Sequence, residues 1–477
     1  MDPLLLLPEL LVFLGGLGVL VLGSFLPRRR QWIGRALAAA ALVAAIVTAA
    51  VAATDSPPSA FSGTFALDAL THGVRIVAPA AALLVLGLAG DEWAADARES
   101  ELYALLLFAT TGALVIGGAA DLLVLICGFL LTSIPVYGLL GLRGGALPAE
   151  AAMKTYLLGA MFGIVLMGGV TLLYGLGATT VYGELPAALA GAPVAVVAVG
   201  ALGVLAGLLF EAGAVPAHFW VPDAASGATG TVAAFVTTVP KIGALVAVLR
   251  FVDALPGAAV WGALVGVLAV VTMLLGNLAA YAQRDPRRLL GWSTVGQAGF
   301  LLVPAAVVTP MAVPALLIYL AAYALANVGA FAVTVAQPRA RQLGDYRGMA
   351  RRRPWLAAAL LVALLGLVGT PPTAVFVGKL AVSAAAWAGG AAWLAVALLA
   401  TTVLSLFYYL RWLAPAFLAA DPGAEDAGAG SEHDPATAET TRWSTAVAIV
   451  AAAGTLAAGI GAGLLWSAVT GGTMPGG

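Results

Sequence analysis

Leu208-Leu-Phe-Glu211-Ala-Gly213-Ala-Val-Pro216-Ala-His218-Phe-Trp-Val-Pro-Asp223 sets a carboxylate and an imidazole inside sequence otherwise apolar enough for a lipid bilayer. Ionisable groups at bilayer depth are costly and face a bundle interior or a water-filled cavity, so their default reading is functional. Glu211 and His218 lie seven residues apart, two helical turns, and an unbroken helix would present both on one face. Pro216 forbids an unbroken helix: it cannot donate to the carbonyl of Ala212, and Gly213 beside it lowers the cost of bending. An interruption at mid-membrane frees backbone groups that must find water or protein partners. Beside ionisable side chains, that points to an ion or proton path.

Working outward, the whole chain is membrane-grade. Of 477 residues, 62% are hydrophobic and 9% charged, and the mean hydropathy is +1.02. Apolar runs of about 20 residues, the length that spans a bilayer, recur along nearly all of it and leave no room for a soluble domain. The net charge of −1 offers no basic face for nucleic acid. The single cysteine, Cys127, excludes an intramolecular disulfide and a cysteine-ligated cluster built by this chain alone. Met1-Asp-Pro3 carries no basic segment ahead of the first apolar run, so the first helix is expected to insert and stay. No Gly-rich dinucleotide turn in a strand-turn-helix context is visible, so redox chemistry belongs elsewhere.

The pattern predicts fourteen helices, at about 4–25, 33–53, 73–89, 102–119, 121–141, 151–175, 192–222, 230–251, 257–282, 289–307, 311–335, 355–382, 386–417 and 443–468. Arg28, Arg29, Arg30 and Arg35 put the first loop in the cytoplasm, and the run from Arg339 to Arg353 falls inside by alternation. Both termini are then outside. The loop 54–72 is external, the acidic stretch Asp91 to Glu101 internal, and the acidic 418–441 is a cytoplasmic loop. There are 19 arginines but only three lysines, and Lys154, Lys241 and Lys379 all lie in or at the mouth of apolar runs. Lysine changes protonation readily on burial whereas arginine stays charged, so lysine suits a relay and arginine an anchor. Asp121 and Glu150 read as boundary residues, Glu9 as a packing or lipid-interface residue, and Asp345 as a partner for loop arginines.

Gly369-Thr-Pro371-Pro372-Thr-Ala-Val-Phe-Val-Gly-Lys379 is a second interrupted helix, and it shares Gly-x-x-Pro with Gly213 to Pro216, 156 residues earlier. The fold class expected is an all-α polytopic membrane protein with two inverted five-helix repeats, helices 4–8 and 9–13, each holding one broken helix. Its units would be 1–101, 102–252, 253–417, 418–441 and 442–477.

Several segments then combine: Leu7-Pro8-Glu9-Leu-Leu, Ser133-Ile-Pro-Val-Tyr137, Glu150-Ala-Ala-Met-Lys154-Thr-Tyr-Leu-Leu-Gly159, Val215-Pro-Ala-His218-Phe-Trp-Val-Pro-Asp223, Pro240-Lys241-Ile, Arg287-Arg-Leu-Leu-Gly-Trp-Ser293, Gly344-Asp-Tyr-Arg-Gly348 and Pro371 to Lys379. With these the chain resembles the antiporter-like membrane subunits of proton-pumping NADH:quinone oxidoreductase (complex I). The resemblance runs from the first predicted helix to the thirteenth or beyond. It implies a bacterial plasma-membrane protein, one of a row of membrane-arm subunits that each offer a proton route. It also implies that this chain binds no cofactor, with NADH, FMN, iron–sulfur clusters and quinone in partner subunits. Lys154, Lys241, His218 and Lys379 match relay positions of the family pattern.

Three positions depart from it. Leu130 stands where the family usually has a glutamate, Glu211 where it usually has a lysine, and Gln297 where it usually has a histidine. Losing the usual acid and base together is coherent, because a buried lysine without its carboxylate would be costly. The acid on the seventh helix is expected to pair with Lys154. The relay of Glu211, Lys154, Lys241, His218 and Lys379 is therefore rewired or partly disabled, and the changes fit a divergent second copy of the subunit. Two other readings stay open: a cation/proton antiporter subunit, and a non-pumping structural subunit of the membrane arm.

Overall fold

Polar caps and prolines fix the ends of the helices that the apolar runs form. The computed structural model describes residues 2–54, 57–419 and 441–470. Most of the expected acidic loop 418–441 and the tail of the expected unit 442–477 lie outside the described residues. The helices are α1 (Leu7–Phe25), α2 (Trp32–Ala52), α3 (Ala69–Glu92), α4 (Glu99–Gly118), α5 (Leu122–Gly141), α6 (Ala146–Gly177) and the short α7 (Leu185–Ala188). There follow α8 (Val194–Ala212), α9 (Trp220–Gly227), α10 (Gly230–Val236), α11 (Val239–Asp253), α12 (Ala258–Tyr281), α13 (Pro286–Val307) and α14 (Ala312–Ala336). The last are α15 (Met349–Arg352), α16 (Pro354–Val368), α17 (Ala374–Ala388), α18 (Ala392–Phe417), α19 (Arg442–Ile460) and α20 (Ala462–Thr470).

Among the described residues 13 helical stretches are long and apolar enough to cross a membrane, counting α10 with α11 as one. The pair α16 and α17, 15 residues each, makes the fourteenth crossing as an interrupted helix. The count from hydropathy therefore agrees. Leu26 is extended because Pro27 follows it, which ends α1. Asp121 caps α5 by accepting from the amides of Leu123 (2.7 Å) and Val124 (3.1 Å), and Asp285 caps α13 ahead of Pro286 in the same way.

The same packing scheme occurs twice. α4 lies along α5 and against α11, α5 meets α6, and α6 runs beside α8. Correspondingly, α12 lies along α13 and against α18, α13 meets α14, and α14 runs beside α16 and α17. Five crossings is an odd number, so the second unit enters the membrane from the opposite side and is inverted relative to the first. α9, α10 and α11 reach across to α13 and α14, so the half-helix beyond the first break belongs to the boundary between units.

Several sequence boundaries shift. The external loop ends at Asp68, not His72; Thr71 and His72 are buried in the first turn of α3, which Asp68 caps. Burial by itself would raise the Asp68 carboxyl, but the Arg250 guanidinium of α11, with Nη1 donating at 2.7 Å, holds it below the usual carboxylate range. The internal acidic stretch is also structural where it begins. Asp91 accepts from the Ser444 amide at 2.7 Å and so caps α19, while Glu92 accepts from the amides of Gly230 (3.0 Å) and Thr231 (2.7 Å) and caps α10. Glu9 is no lipid-interface residue. Arg75 of α3 donates to it through Nε (2.7 Å) and Nη2 (2.8 Å), both side chains are buried, and the pair clamps α1 to α3. Asp345 accepts from the backbone amides of Arg341 and Gln342.

Candidate functional site

The two predicted breaks are built alike. α8 ends at Ala212 and turns through Gly213 at φ +70°, and α16 ends at Val368 and turns through Gly369 at φ +86°. Only glycine adopts this left-handed conformation without strain. A β-carbon on Gly213 would collide with the Lys241 ammonium, and one on Gly369 would meet the Lys379 Cδ at 2.9 Å. The amide of Gly213 donates to Phe210 O (3.0 Å) and that of Ala214 to Leu209 O (2.9 Å). At the other break Gly369 donates to Gly366 O (2.8 Å) and Thr370 to Leu365 O (3.1 Å). Both are Schellman ends, which close the earlier carbonyls and leave the last one of the half-helix unserved by backbone.

A lysine takes that last carbonyl at each break. Lys241 Nζ donates to Ala212 O at 3.0 Å, and Lys379 Nζ donates to Val368 O at 2.8 Å. A cation is favoured there, because the C-terminal end of a helix dipole is negative. Each ammonium also stands over an aromatic face, Lys241 at 5.0 Å from the Trp220 ring centroid and Lys379 at 4.1 Å from that of Phe300.

Their other neighbours differ. Glu211, 3% exposed on α8, accepts from Ser133 Oγ of α5 at 2.7 Å, and Lys241 is the cation whose charge acts on it. At the second break Lys379 donates also to Thr402 Oγ1 (3.2 Å), and no carboxylate pairs with it among the described residues. Gln297 donates through Nε2 to Leu367 O (2.9 Å) and accepts from the Tyr319 hydroxyl (2.7 Å). The position where the family pattern has a histidine is thus a neutral brace on the penultimate carbonyl.

A line of buried polar groups runs between the breaks, and sequence reading missed it. α10 and α11 are separated by a third interruption at Thr237 and Thr238. Asn327 Nδ2 donates to the hydroxyls of Thr237 (2.9 Å) and Thr238 (2.8 Å), and the Tyr323 hydroxyl donates to Thr237 O (2.7 Å) and Thr294 Oγ1 (3.1 Å). Thr294 lies one turn from Gln297 on α13. Beyond it, Ser293 bonds the Tyr409 hydroxyl, and Tyr408 donates to Asn277 Oδ1 at 3.1 Å. Asn327 in the middle of an apolar run was the available signal.

The remaining predicted residues sit apart. Lys154 does not pair with Glu211. Its ammonium bonds Glu150 (2.7 Å), one turn back on α6, and Asp223 (2.9 Å) on α9; Asp223 also takes Arg288 Nη1 at 2.6 Å. The Lys154 side chain is 43% exposed, because it lies near the start of α6, at the arginine-rich face. His218 is buried beyond the first break, with ring centroids 4.1 Å from Phe219 and 5.7 Å from Trp292, and its Nδ1 meets no partner among the described residues. Of the predicted relay residues, Lys241 and not Lys154 is the one whose charge acts on Glu211.

Comparison with known proteins agrees with this geometry. A family model described as NADH:quinone oxidoreductase/Mrp antiporter, TM matches residues 119–405. A protein of Mycobacterium sp. (strain JLS), named NADH-quinone oxidoreductase subunit N, is 54% identical over 475 residues, 98% of this chain and 99% of its own. One of Streptomyces griseus, named NADH-quinone oxidoreductase subunit N 1, is 48% identical and covers 98% of each chain. Among solved structures, a chain of respiratory complex I from Thermus thermophilus superposes with a TM-score of 0.80 at 29% identity, over 97% of this chain and 99% of that one.

Proposed function

The chain belongs to the membrane-spanning family that NADH:quinone oxidoreductases share with Mrp antiporters, and from that premise we propose that it is a membrane-arm subunit of a bacterial NADH:quinone oxidoreductase that carries protons across the plasma membrane while partner subunits reduce quinone. NADH, FMN, iron–sulfur clusters and quinone bind in those partners. The observation that carries the reading is the placement of Lys241 and Lys379, buried and bonded to the last carbonyls of interrupted helices.

With Glu211 ionised, Lys241 holds its proton between that carboxylate and the Ala212 carbonyl. Protonating Glu211 removes the attraction of its charge for the Lys241 ammonium, and in a low-dielectric interior a charge acts over several ångströms with little screening. Lys241 then gives up its proton towards Thr237, Tyr323 and Thr294, groups that can both donate and accept. Lys379 receives charge at the far end of this line. Lys154, with Asp223 and Arg288, forms a mouth at the arginine-rich face, and His218 lies between that mouth and the first break. The arginine bias assigns this face to the cytoplasm and both termini to the outside. Residues 102–252 and 253–417 act as two coupled half-channels, with 1–101 bracing them through the Glu9–Arg75 pair.

NADH-driven proton uptake into inverted membrane vesicles tests the reading, with assembly checked in parallel. Lys241→Ala and Glu211→Gln are expected to assemble and to lose uptake. Unchanged uptake in both overturns the relay and leaves a structural brace of the membrane arm.

A further inference from the structure

The proton route leaves unused a set of buried hydroxyls in the second unit, on the side of the arginine-rich face. α18 carries Thr402, Ser405 and Tyr409 at i, i+3 and i+7, the spacing of one helix face. One end of this stripe already touches the second break, where Thr402 Oγ1 accepts from Lys379 at 3.2 Å. Ser405 Oγ donates to Thr402 O at 2.7 Å. Tyr409, a turn further on, bonds Ser293 of α13 through a pair of hydroxyls in which either oxygen can donate. Tyr408 beside it donates to Asn277 Oδ1 of α12 at 3.1 Å. Ser405, Tyr408, Tyr409, Ser293 and Asn277 are all buried.

These groups occupy only the half of their helices nearer the arginine-rich face. Asn277 is about one turn from the end of α12, Tyr409 about two turns from the end of α18, and Ser293 about two turns from the start of α13. The outer halves of the same helices bury Val265 and Ala269, Leu301 and Leu302, and Leu394 and Leu398. Between the stripe and the surface stand two further polar groups, Trp412, one turn beyond Tyr409, and Tyr346 of the turn before α15. Their rings meet edge to face with centroids 5.4 Å apart, and both side chains are buried. Neither the indole Nε1 nor the phenol hydroxyl meets a partner among the described residues. A buried donor requires a partner, and water reaching in from the nearby surface supplies one.

We propose that this face of α18 is a separate cytoplasmic entrance of the second unit, in which water at Tyr346 and Trp412 passes protons through Tyr409 and Ser405 to Thr402 and Lys379. The inference rests on the proton route above and adds a supply that bypasses Lys241. Each hydroxyl accepts a proton on a lone pair as it releases its own to the next oxygen, so none is left charged, and neutral Lys379 is the final acceptor. The polar groups stop at the break and do not continue into the outer halves, so the stripe serves entry and not release.

Protons taken up per NADH oxidised, measured in inverted membrane vesicles, test the entrance with variants that delete one oxygen and keep the shape of the side chain. Tyr409→Phe and Ser405→Ala are each expected to lower this ratio, and together to lower it no further than the stronger of the two, because both interrupt one path. Lys154→Met, at the mouth of the first unit, is expected to act independently, so that Tyr409→Phe combined with it loses more than either alone. An unchanged ratio in both hydroxyl variants, even with a lowered melting temperature, shows a structural role and overturns the entrance. So does a combined loss no greater than that of Lys154→Met. Lys241→Ala in the same vesicles separates the two readings. A ratio lowered there but by neither hydroxyl variant removes this inference alone, whereas an unchanged ratio in Lys241→Ala removes the proton route with it.

Discussion

The two breaks share a backbone and differ in what their lysines are attached to. At the first, the lysine comes from another helix: α11 supplies Lys241 to the end of α8, and α8 itself carries Glu211. At the second, Lys379 belongs to α17, the other half of the same interrupted helix, and reaches back to Val368 of α16. The first bond therefore responds to any movement of α8 against α11, whereas the second is a staple within one element. Electrostatics differ in the same sense. The first ammonium has a carboxylate neighbour, and the second has carbonyl, hydroxyl and aromatic partners only. On the proposed proton route, the first break would serve as a charge-gated switch and the second as a dipole-held carrier.

The largest expected effect comes from removing the lysines in turn. Lys241→Met strands the Ala212 carbonyl and also removes the cation that acts on buried Glu211, so it should cost more than Lys379→Met, which strands one carbonyl at about 1–3 kcal/mol. Thermal melting of the assembled protein in detergent reads the difference, and equal losses would break the comparison. Next come the hinge glycines. Gly213→Ala and Gly369→Ala each force a side chain into a left-handed turn, about 1–3 kcal/mol. Gly213→Ala should reduce proton uptake more, because its β-carbon meets the Lys241 ammonium and Val221 Cγ2 (2.7 Å), whereas that of Gly369 meets only the stem of Lys379 and backbone. The smallest effect sharpens the account of the first break alone. Trp220→Phe keeps a ring beneath Lys241 but loses the Nε1 bond to Phe210 O, 3.1 Å long, and should lower stability by about 0.5–1.5 kcal/mol with uptake retained.

Much of this was legible because bilayer chemistry writes itself into single residues. A Gly-x-x-Pro inside an apolar run announces a break, and a lysine at bilayer depth must have a partner. The partner's identity was another matter. The carbonyl of Ala212 was recognisably freed by Pro216, yet nothing in the sequence says that Lys241, 29 residues on, would take it. Glu211 was assigned to Lys154 because, with Leu130 in place of the family's usual glutamate, the acid on the seventh helix was the one protonatable group expected near that lysine. In the fold Lys154 lies nearer the surface with Glu150 and Asp223, and Ser133 reaches Glu211. Glu9 was read as a packing or lipid-interface residue; Arg75, 66 residues away, decides for packing.

The sequence by itself determined the fourteen crossings, the two glycine-proline hinges, the sidedness bias of the arginines and the three lysines that had to be explained. These follow from transfer energies and backbone sterics that act on each segment separately. The tertiary structure alone decided which lysine meets which carbonyl, that Glu211 stands beside Lys241, and that Thr237, Tyr323, Thr294 and Asn327 join the two halves. Those contacts depend on how α8, α11, α13 and α14 cross. The satisfaction of buried polar groups is a property of neighbours in space, which spacing along the chain does not encode.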